Sequence, residues 1–245
     1  MTKKVIIVTG ASNGIGKAIA QQLIVEEYFV VLADVDDENG IKLLQELGTE
    51  NAYFINCNVS DENSVTTLFR LVLEKYKRID AVINNAGIIK DNLIWNMSVQ
   101  DFDNVINVNL KGTWLVCREA AKIMKEQRNG RIVNIASRAW LGNAGQSNYS
   151  SSKAGVVSLT RVLALELGKY NVLVNAVAPG LIDTPLTQNL KDVVLQKLIQ
   201  AQPTKTIGHA NDIANAVSFL VNSDTKFITG QTIYVDGGKS IGSNF

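Results

Sequence analysis

The chain has 245 residues, of which 46% are hydrophobic and 19% are charged, and its formal net charge at pH 7 is +1. This composition is that of a globular protein, and the length is enough to bury a core in one large domain or two small ones. The near-neutral charge argues against a basic face for nucleic acid or a polybasic membrane patch, so we expect neither partner.

The few cysteines and histidines exclude several kinds of site. Cys57 and Cys117 lie far apart and match no metal-ligand spacing, and His209 is the only histidine. Metal sites and triads that need several histidines are therefore excluded, and we expect no metal. The first apolar run, 5–8, is too short for a signal-peptide core or a membrane span. With only two distant cysteines, the sequence predicts a reduced, cytoplasmic setting.

Short apolar runs alternate along the chain with longer amphipathic segments. The runs are rich in Val and Ile and nearly continuous, which is typical of strands buried on both faces. They lie at 5–9, 29–33, 52–56, 81–84, 131–136, 172–178 and 232–235. Helical patterns lie between them, near 15–27, 38–47, 61–76, 99–127, 149–169, 189–200 and 210–222. This alternation predicts an α/β fold with a parallel sheet of about seven strands and helices on both faces.

No linker, repeat or low-complexity stretch divides the chain, so we expect residues 1–245 to form a single domain. Only the region after Pro179-Gly180 breaks the rhythm, and it carries Pro185, Pro203 and Gly208. A long irregular excursion in a compact domain is usually functional. We therefore predict a substrate loop at about 181–208.

A glycine-rich turn follows the first predicted strand and opens a helix. Its spacing, with glycines at 10, 14 and 16, is a variant of the dinucleotide-binding fingerprint. Glycines would let the backbone approach a pyrophosphate, and the helix N-terminus would supply amide donors. A plain tight turn between strand and helix is the alternative. We expect six residues here to contact a cofactor: Gly10, Ser12, Asn13, Gly14, Ile15 and Gly16.

An acid, Asp34, ends the second predicted strand, 18 residues after Gly16. An acid at this place hydrogen-bonds the adenosine ribose hydroxyls, and its charge repels a 2′-phosphate. The next four residues, 35–38, contain three more acids and no base. We therefore predict NAD in preference to NADP. Alternatively, Asp34 only caps the following helix.

Tyr149 and Lys153 lie four residues apart in a predicted helix. Such positions share one face, about 6 Å apart along the axis. A lysine cation there would favour the phenolate of a tyrosine, whose pKa is ordinarily about 10. The pair therefore suggests a tuned acid/base with Ser137 as a hydrogen-bond donor, although a solvated helix face has the same spacing.

With these motifs in place, the whole chain resembles the short-chain dehydrogenase/reductase family. Further matching segments are 84–87 (Asn-Asn-Ala-Gly), 107–110 (Asn-Val-Asn-Leu), 179–184 (Pro-Gly-x-x-x-Thr) and 230–238, which ends Val-Asp-Gly-Gly. The resemblance implies a single Rossmann-type, doubly wound sheet and an oxidoreductase that moves a hydride to or from a nicotinamide dinucleotide. A non-catalytic dinucleotide-binding module is a minor alternative, because such a protein would lose the Tyr/Lys pair.

The resemblance also implies roles for individual residues. Tyr149 would be the general acid/base, and Lys153 would lower its pKa and hold the nicotinamide ribose. Ser137 would orient the substrate oxygen, and Asn109 would hold a water in a proton relay behind Lys153. Ser137 could instead cap a strand end, Asn109 could satisfy a helix bend, and Thr184 could serve the loop only. Further cofactor contacts are expected at Asn58, Val59, Asn85, Ala86, Gly87, Pro179, Gly180, Ile182 and Thr184.

Two features depart from the family pattern. Ser137 and Tyr149 are twelve residues apart, where thirteen is commoner, so the loop between them should be one residue shorter. Asn58 stands where the family usually has Asp near the adenine, which puts the fine preference of that pocket in doubt.

Several segments resemble the 3-oxoacyl-(acyl-carrier-protein) reductase branch, among them 90–93 (Lys-Asp-Asn-Leu) and 142–149. That branch usually takes NADPH and carries basic residues for its acidic carrier. Arg128 matches one such position, whereas Tyr170, beside Lys169, stands at the other. Because Asp34 favours NAD, we predict interconversion of a secondary alcohol and a ketone. Reduction of 3-oxoacyl-carrier or acyl-CoA thioesters is the alternative.

The substrate itself is not identified by the sequence. The loop's apolar residues could cover an apolar substrate or pack on the protein body; they are Leu181, Leu186, Leu190, Val193, Val194, Leu198 and Ile199. Trp140 and Trp95 could border the pocket, although Trp95 could equally be interior. The resemblance further implies a homotetramer, paired through the helices near 99–127 and 149–169 and the C-terminal strand.

Overall fold

The computed structural model describes residues 3–188 and 191–242. Seven parallel strands form the main sheet, in the order β3-β2-β1-β4-β5-β6-β9. Their bounds are β1 (Val5–Thr9), β2 (Phe29–Asp34), β3 (Ala52–Asn56), β4 (Ala81–Asn84), β5 (Gly130–Ile135), β6 (Val172–Pro179) and β9 (Thr232–Val235). A separate parallel pair, β7 (Ile182–Asp183) and β8 (Gly208–His209), was not predicted. The predicted doubly wound sheet of about seven strands is confirmed.

Helices connect the strands and cover both faces of the sheet. They are α1 (Gly14–Val25), α2 (Asp37–Leu47), α3 (Glu62–Tyr76), α4 (Val99–Ile106), α5 (Thr113–Gln127), α6 (Ser147–Leu167), α7 (Pro185–Gln188), α8 (Asp192–Gln200) and α9 (Ala210–Val221). Among the described residues, no helix is long and apolar enough to cross a membrane.

The core consists of two main apolar layers, one on each face of the sheet. Ile6 and Val8 of β1 pack with α1, α2 and α9, whereas Val5 and Ile7 pack with α3, α5 and α6. Successive side chains of a strand point to opposite faces, so a strand buried on both sides needs a continuous apolar run. This geometry is why the strands were visible in the sequence as unbroken Val/Ile runs.

The segment predicted as one helix over 99–127 is divided. A π-helical turn, Asn107–Gly112, joins α4 to α5. Gly112 in this turn packs closely against Val59: a β-carbon on the glycine would lie only 2.8 Å from Val59 Cγ2, so a larger residue would not fit. π-helical turns occur frequently at functional sites, and this one contains Asn109.

Candidate functional site

The predicted site lies at the carboxyl ends of the strands, where the order of connections reverses. β1 has β2 on one side and β4 on the other, and the chain crosses from β3 to β4 over this point. Loops that leave neighbouring strands in opposite directions leave a crevice between them, which is where ligands bind in open α/β sheets. The glycine-rich turn after β1 and the segment after β4 form its floor.

Asn85 and Thr9 join these two segments. The Asn85 side-chain amide donates to the carbonyl oxygens of Gly10 at 2.8 Å and Thr9 at 3.1 Å. The Thr9 hydroxyl accepts from the backbone amides of Asn85 and Ala86, each at 3.1 Å. These reciprocal bonds fix the glycine turn against the end of β4.

The turn is a cradle that side chains would fill. Gly10 has φ +62°, and a β-carbon there would lie 2.8 Å from Ala86 Cα. A β-carbon on Gly16 would collide with the Gly10 carbonyl oxygen. Asn13 precedes α1 without capping it through its side chain, so the first helical amides are left for another acceptor. The residues therefore fit a dinucleotide whose pyrophosphate lies at this helix N-terminus.

Asp34 lies at the end of β2 beside this turn, as predicted. Its carboxylate accepts from the backbone amide of Ser12 at 2.9 Å and from that of Asp36 at 3.1 Å. Asp36, rather than Asp34, caps α2 by accepting from Asn39. The hydrogen bond from the Asn39 side chain, together with that from its backbone amide, holds the pKa of Asp36 below its usual value. The capping alternative for Asp34 is therefore wrong.

Lys153 is buried at the other end of the crevice, on α6. Its Nζ donates to the carbonyl oxygen of Ile135, the last residue of β5, at 2.8 Å. Burial lowers the pKa of this ammonium to about 8. A β-carbon on Gly87 would lie 3.6 Å from this Nζ, so the segment after β4 runs beside the lysine.

Tyr149 lies one helical turn before Lys153 and is half-buried. Burial raises the pKa of its phenol, a hydrogen bond with Ser137 lowers it, and the charge of Asp91 raises it further. The net shift is upward. Lys153 Nζ lies 5.7 Å from the ring centroid and donates to Ile135 instead. Because Nζ does not bond the phenol directly, the expectation that Lys153 lowers this pKa stays a prediction.

Ser137 has two contacts. Its Oγ accepts from the Ala139 amide at 3.1 Å and so caps the short 3₁₀ helix Arg138–Leu141, while its hydroxyl also bonds Tyr149. Ser137 thus caps a helix rather than the strand end of the alternative, and it lies beside the tyrosine; its role toward the substrate stays a prediction. Trp140 in the same turn packs on a small cluster with Ala136 and Val156.

Asn109 lies in the π-helical turn and is fully buried. Its side chain accepts from the Ile88 amide at 2.8 Å and donates to the Ile88 carbonyl at 3.0 Å and to Ser152 Oγ at 3.2 Å. Its own carbonyl accepts from Thr113 Oγ1 at 2.7 Å. Asn109 therefore joins α6 to the segment after β4, which matches the helix-bend alternative; the water relay stays a prediction.

Of the remaining predicted cofactor contacts, those in 179–184 border the crevice, whereas Asn58 bonds within its own turn. Thr184 lies against Gly14, since a β-carbon on that glycine would be 3.8 Å from the Thr184 methyl, and Gly180 packs on the backbone of Asp236. Pro179 ends β6 and Ile182 begins β7, so this stretch borders the crevice. Asn58, next to Val59, instead uses its Oδ1 in its own turn, accepting from Ser60 N and Oγ.

Sequence reasoning missed how the loop before Tyr149 is held. Gln146 donates to Asp91 at 2.8 Å and accepts from Asn143 at 3.0 Å, and the Asn92 amide donates to the Gly145 carbonyl at 2.8 Å. In the sequence, Asp91 was noted only as part of the segment 90–93 that resembles the 3-oxoacyl-(acyl-carrier-protein) reductase branch. The paired loops place its carboxylate near Tyr149, which the sequence separation of 58 residues conceals.

The substrate loop contains α8, which matches the helical pattern predicted near 189–200, and the short helix α7, which was not predicted. Val193, Val194 and Leu198 of α8 are exposed, Val193 most of all at 68%, so none of the three is buried in the protein body. Leu190 and the Leu186 side chain lie outside the described residues. Trp95 is 75% exposed, which excludes the interior alternative. Among the described residues, no cluster of His, Cys, Asp or Glu could hold a metal.

Known proteins resemble this chain over nearly its whole length. A family model described as Enoyl-(Acyl carrier protein) reductase matches residues 10–240. The (2S)-[(R)-hydroxy(phenyl)methyl]succinyl-CoA dehydrogenase subunit BbsD of Thauera aromatica is 41% identical, covering 97% of both chains. The 3-oxoacyl-[acyl-carrier-protein] reductase FabG of Thermotoga maritima is 40% identical, covering 96% of this chain and 97% of the relative.

The chain belongs to the short-chain dehydrogenase/reductase family. Solved structures agree: levodione reductase superposes with a TM-score of 0.94 at 34% identity, covering 99% of this chain and all of that one. ElxO with NADP bound superposes with a TM-score of 0.93 at 32% identity, covering 98% and 100%. The protein is therefore an NAD(P)-dependent oxidoreductase that acts on an alcohol or ketone group of a small molecule. A non-catalytic dinucleotide-binding module is not supported.

The arrangement around Tyr149 predicts two opposite shifts of its pKa. Asp91→Asn removes a negative charge, so the pKa of Tyr149 should fall; Ser137→Ala removes the hydrogen bond that favours the phenolate, so it should rise. NMR titration of protein with ¹³C-labelled tyrosine measures both. Shifts of the same sign would contradict the assigned contacts, and Asp103→Asn, on the exposed face of α4, is the control.

Proposed function

We propose that this enzyme interconverts a secondary alcohol and a ketone, with Tyr149 as the acid/base and NAD(H) as the preferred cofactor. The observation that carries the proposal is the placement of the Ser137–Tyr149 pair and the buried Lys153 at one end of a crevice whose other end bears Asp34. The bound nicotinamide supplies or accepts the hydride.

The protein's groups would act on the substrate oxygen. In oxidation, Tyr149 takes the hydroxyl proton while Ser137 orients the oxygen; in reduction, Tyr149 returns the proton. The raised pKa of Tyr149 keeps it protonated at neutral pH, which suits donation. Oxidation needs the phenolate, so its rate should increase as pH rises through that pKa. Lys153, with two further N–H donors, would hold the nicotinamide ribose.

The cofactor preference rests on the carboxylate of Asp34. Two backbone amides hold it in place beside the glycine turn, and the acids that follow it in sequence add negative charge. A ribose 2′-hydroxyl could donate to this carboxylate, whereas a 2′-phosphate would be repelled by it.

We expect NADH to bind at least about tenfold more tightly than NADPH, because two like charges about 4 Å apart repel by about 4 kcal/mol near a protein surface, and about 1.4 kcal/mol is already tenfold. Asp34→Asn keeps the shape and removes the charge, so the ratio of the two dissociation constants should approach one. Asp37→Asn, three residues along the chain, is the control and should change the ratio less. Fluorescence titration with each cofactor measures this ratio. Tighter binding of NADPH than of NADH by the unaltered protein would refute the predicted preference for NAD(H).

Tyr149→Phe should lower kcat/KM for secondary alcohols by about 10²–10⁴-fold, the usual contribution of a positioned acid/base. The dissociation constant of NADH should change by less than about tenfold. Initial-rate assays on a panel of secondary alcohols, sugars, hydroxysteroids and acetoacetyl thioesters measure the loss. Tyr53→Phe, on the outer strand β3, is the control. Undiminished turnover of every substrate by Tyr149→Phe would remove the tyrosine from the mechanism.

A second candidate is oxidation or reduction at the 3-position of an acyl thioester. One relative is named for a hydroxyl-bearing succinyl-CoA and another for a 3-oxoacyl group. The structure adds a specific observation: Lys125, Arg128 and Lys169 place their cations 5.8, 6.0 and 5.2 Å from the ring centroid of Tyr170. In the sequence, only Arg128 matched one of the two basic positions of the carrier-binding branch. Around Tyr170 the structure brings together three cations, a basic surface that would suit an acidic carrier.

The carrier hypothesis is tested with acetoacetyl groups on carrier protein and on coenzyme A. If a carrier docks at Tyr170, Arg128→Ser and Lys169→Ser should each raise KM for the carrier-bound substrate several-fold and leave the coenzyme A substrate unchanged. Lys42→Ser on α2 is the control. Equal effects on both substrates, or none, would exclude docking at this surface.

A homotetramer is also proposed. Trp114 of α5 and Val162 and Leu165 of α6 are exposed large apolar side chains on the helices expected to pair. Light scattering that gives a monomer would overturn this assembly.

A further inference from the structure

A second cleft lies at the opposite edge of the sheet, at the amino ends of the strands. Its volume is about 180 Å³, well above the ~10–15 Å³ that a single water needs. Lys4 precedes β1, Asp80 precedes β4, Asn171 precedes β6, and Arg131 is the second residue of β5. The length of the strands therefore separates this cleft from the candidate cofactor crevice at their carboxyl ends.

Arg131 is a buried cation whose hydrogen bonds are incomplete. Only 7% of the residue is exposed. Its Nη1 donates to the Gly130 carbonyl at 2.9 Å and its Nη2 to the Thr225 carbonyl at 3.1 Å, but its buried Nε has no partner. None of the ion pairs between described residues includes Arg131.

A buried charge normally has an opposite charge beside it, because leaving water costs free energy that hydrogen bonds to neutral groups only partly offset. Burial indeed lowers the pKa of Arg131. The neutral phenol of Tyr28 lines the same cleft, and burial raises its pKa. Neither the two backbone carbonyls nor the Tyr28 phenol supplies the missing negative charge.

Two lysines add to the positive field of the cleft, and its one acid among the lining residues is already paired. Lys4 and Lys226 line it with Arg131. Asp80 is the acid in the lining, but its carboxylate is already shared by the Val5 amide and two guanidinium nitrogens of Arg78. Glu26 and Asp224 act on Tyr28 from nearby without lining the cleft.

We propose that this cleft binds a small oxyanion, with the buried Arg131 as its principal donor and Lys4 and Lys226 as flanking cations. Arginine offers a planar fork of donors that matches phosphate and carboxylate groups. The ligand class is thus a phosphate- or carboxylate-bearing small molecule. The proposal does not depend on the reaction at the other edge of the sheet.

The test is titration of the NADH-saturated protein with inorganic phosphate and, separately, with citrate, at constant ionic strength. Saturation with NADH keeps the anion away from the glycine turn. We expect either anion to raise Tm in a saturable manner, beyond the effect of chloride. A preference for phosphate or for citrate tells the two chemical sources apart.

Variants assign the effect to the cleft. Lys226→Gln and Lys4→Gln should each weaken anion binding by about fivefold or more, since fivefold is the effect of removing one charge at about 4 Å in water. Lys42→Gln on α2 is the matched control and should bind as the unaltered protein does. These lysine variants keep the test decisive even where Arg131→Gln does not fold. A response equal to that of chloride, or lysine variants that bind as tightly as the control, would overturn the proposal.

Discussion

The hydrogen bonds between Asn85 and the glycine-rich turn are the constraint on which the site depends. Parallel strands β1 and β4 end side by side, but the loops that follow them diverge. The Asn85 amide and the Thr9 hydroxyl hold those loops together through four bonds of 2.8–3.1 Å. Because of this junction, the cradle for a pyrophosphate and the wall beside Lys153 belong to one rigid crevice rather than to two mobile loops.

The buried ammonium of Lys153 is the second constraint, and its position follows from the sheet. Burial of a lysine is unfavourable unless its donors are used, and the Ile135 carbonyl at the end of β5 uses one of them. Its pKa, lowered to about 8, still leaves it largely charged at neutral pH. The chain thus keeps a cation where a ribose would lie, while Ser137 and Asp91 act in opposite directions on the neighbouring phenol.

The sequence predicted the strands and the close packing of the glycine-rich turn well, because both depend on local pattern. Unbroken Val/Ile runs indicate strands buried on both faces, and the glycine spacing reflects close backbone contacts that the structure shows at Gly10 and Gly16. The π-helical turn at Asn109 and the Asp91–Gln146 pair were missed. Both arise from contacts between residues distant in the chain, Asn109 with Ile88 and Ser152, and Asp91 with Gln146. The bond from Lys153 Nζ to the Ile135 carbonyl was missed for the same reason, because no helical spacing reveals a contact with a strand.

The central claim is that one crevice holds a single dinucleotide between Asp34 and Lys153, next to Tyr149. A crystal structure of the protein with NADH tests it most directly. The account predicts adenosine ribose hydroxyls hydrogen-bonded to the Asp34 carboxylate and the nicotinamide ribose hydrogen-bonded to Lys153 Nζ, with the Tyr149 hydroxyl open to the substrate side. A cofactor bound in another place, or one whose adenosine ribose makes no contact with Asp34, would contradict it.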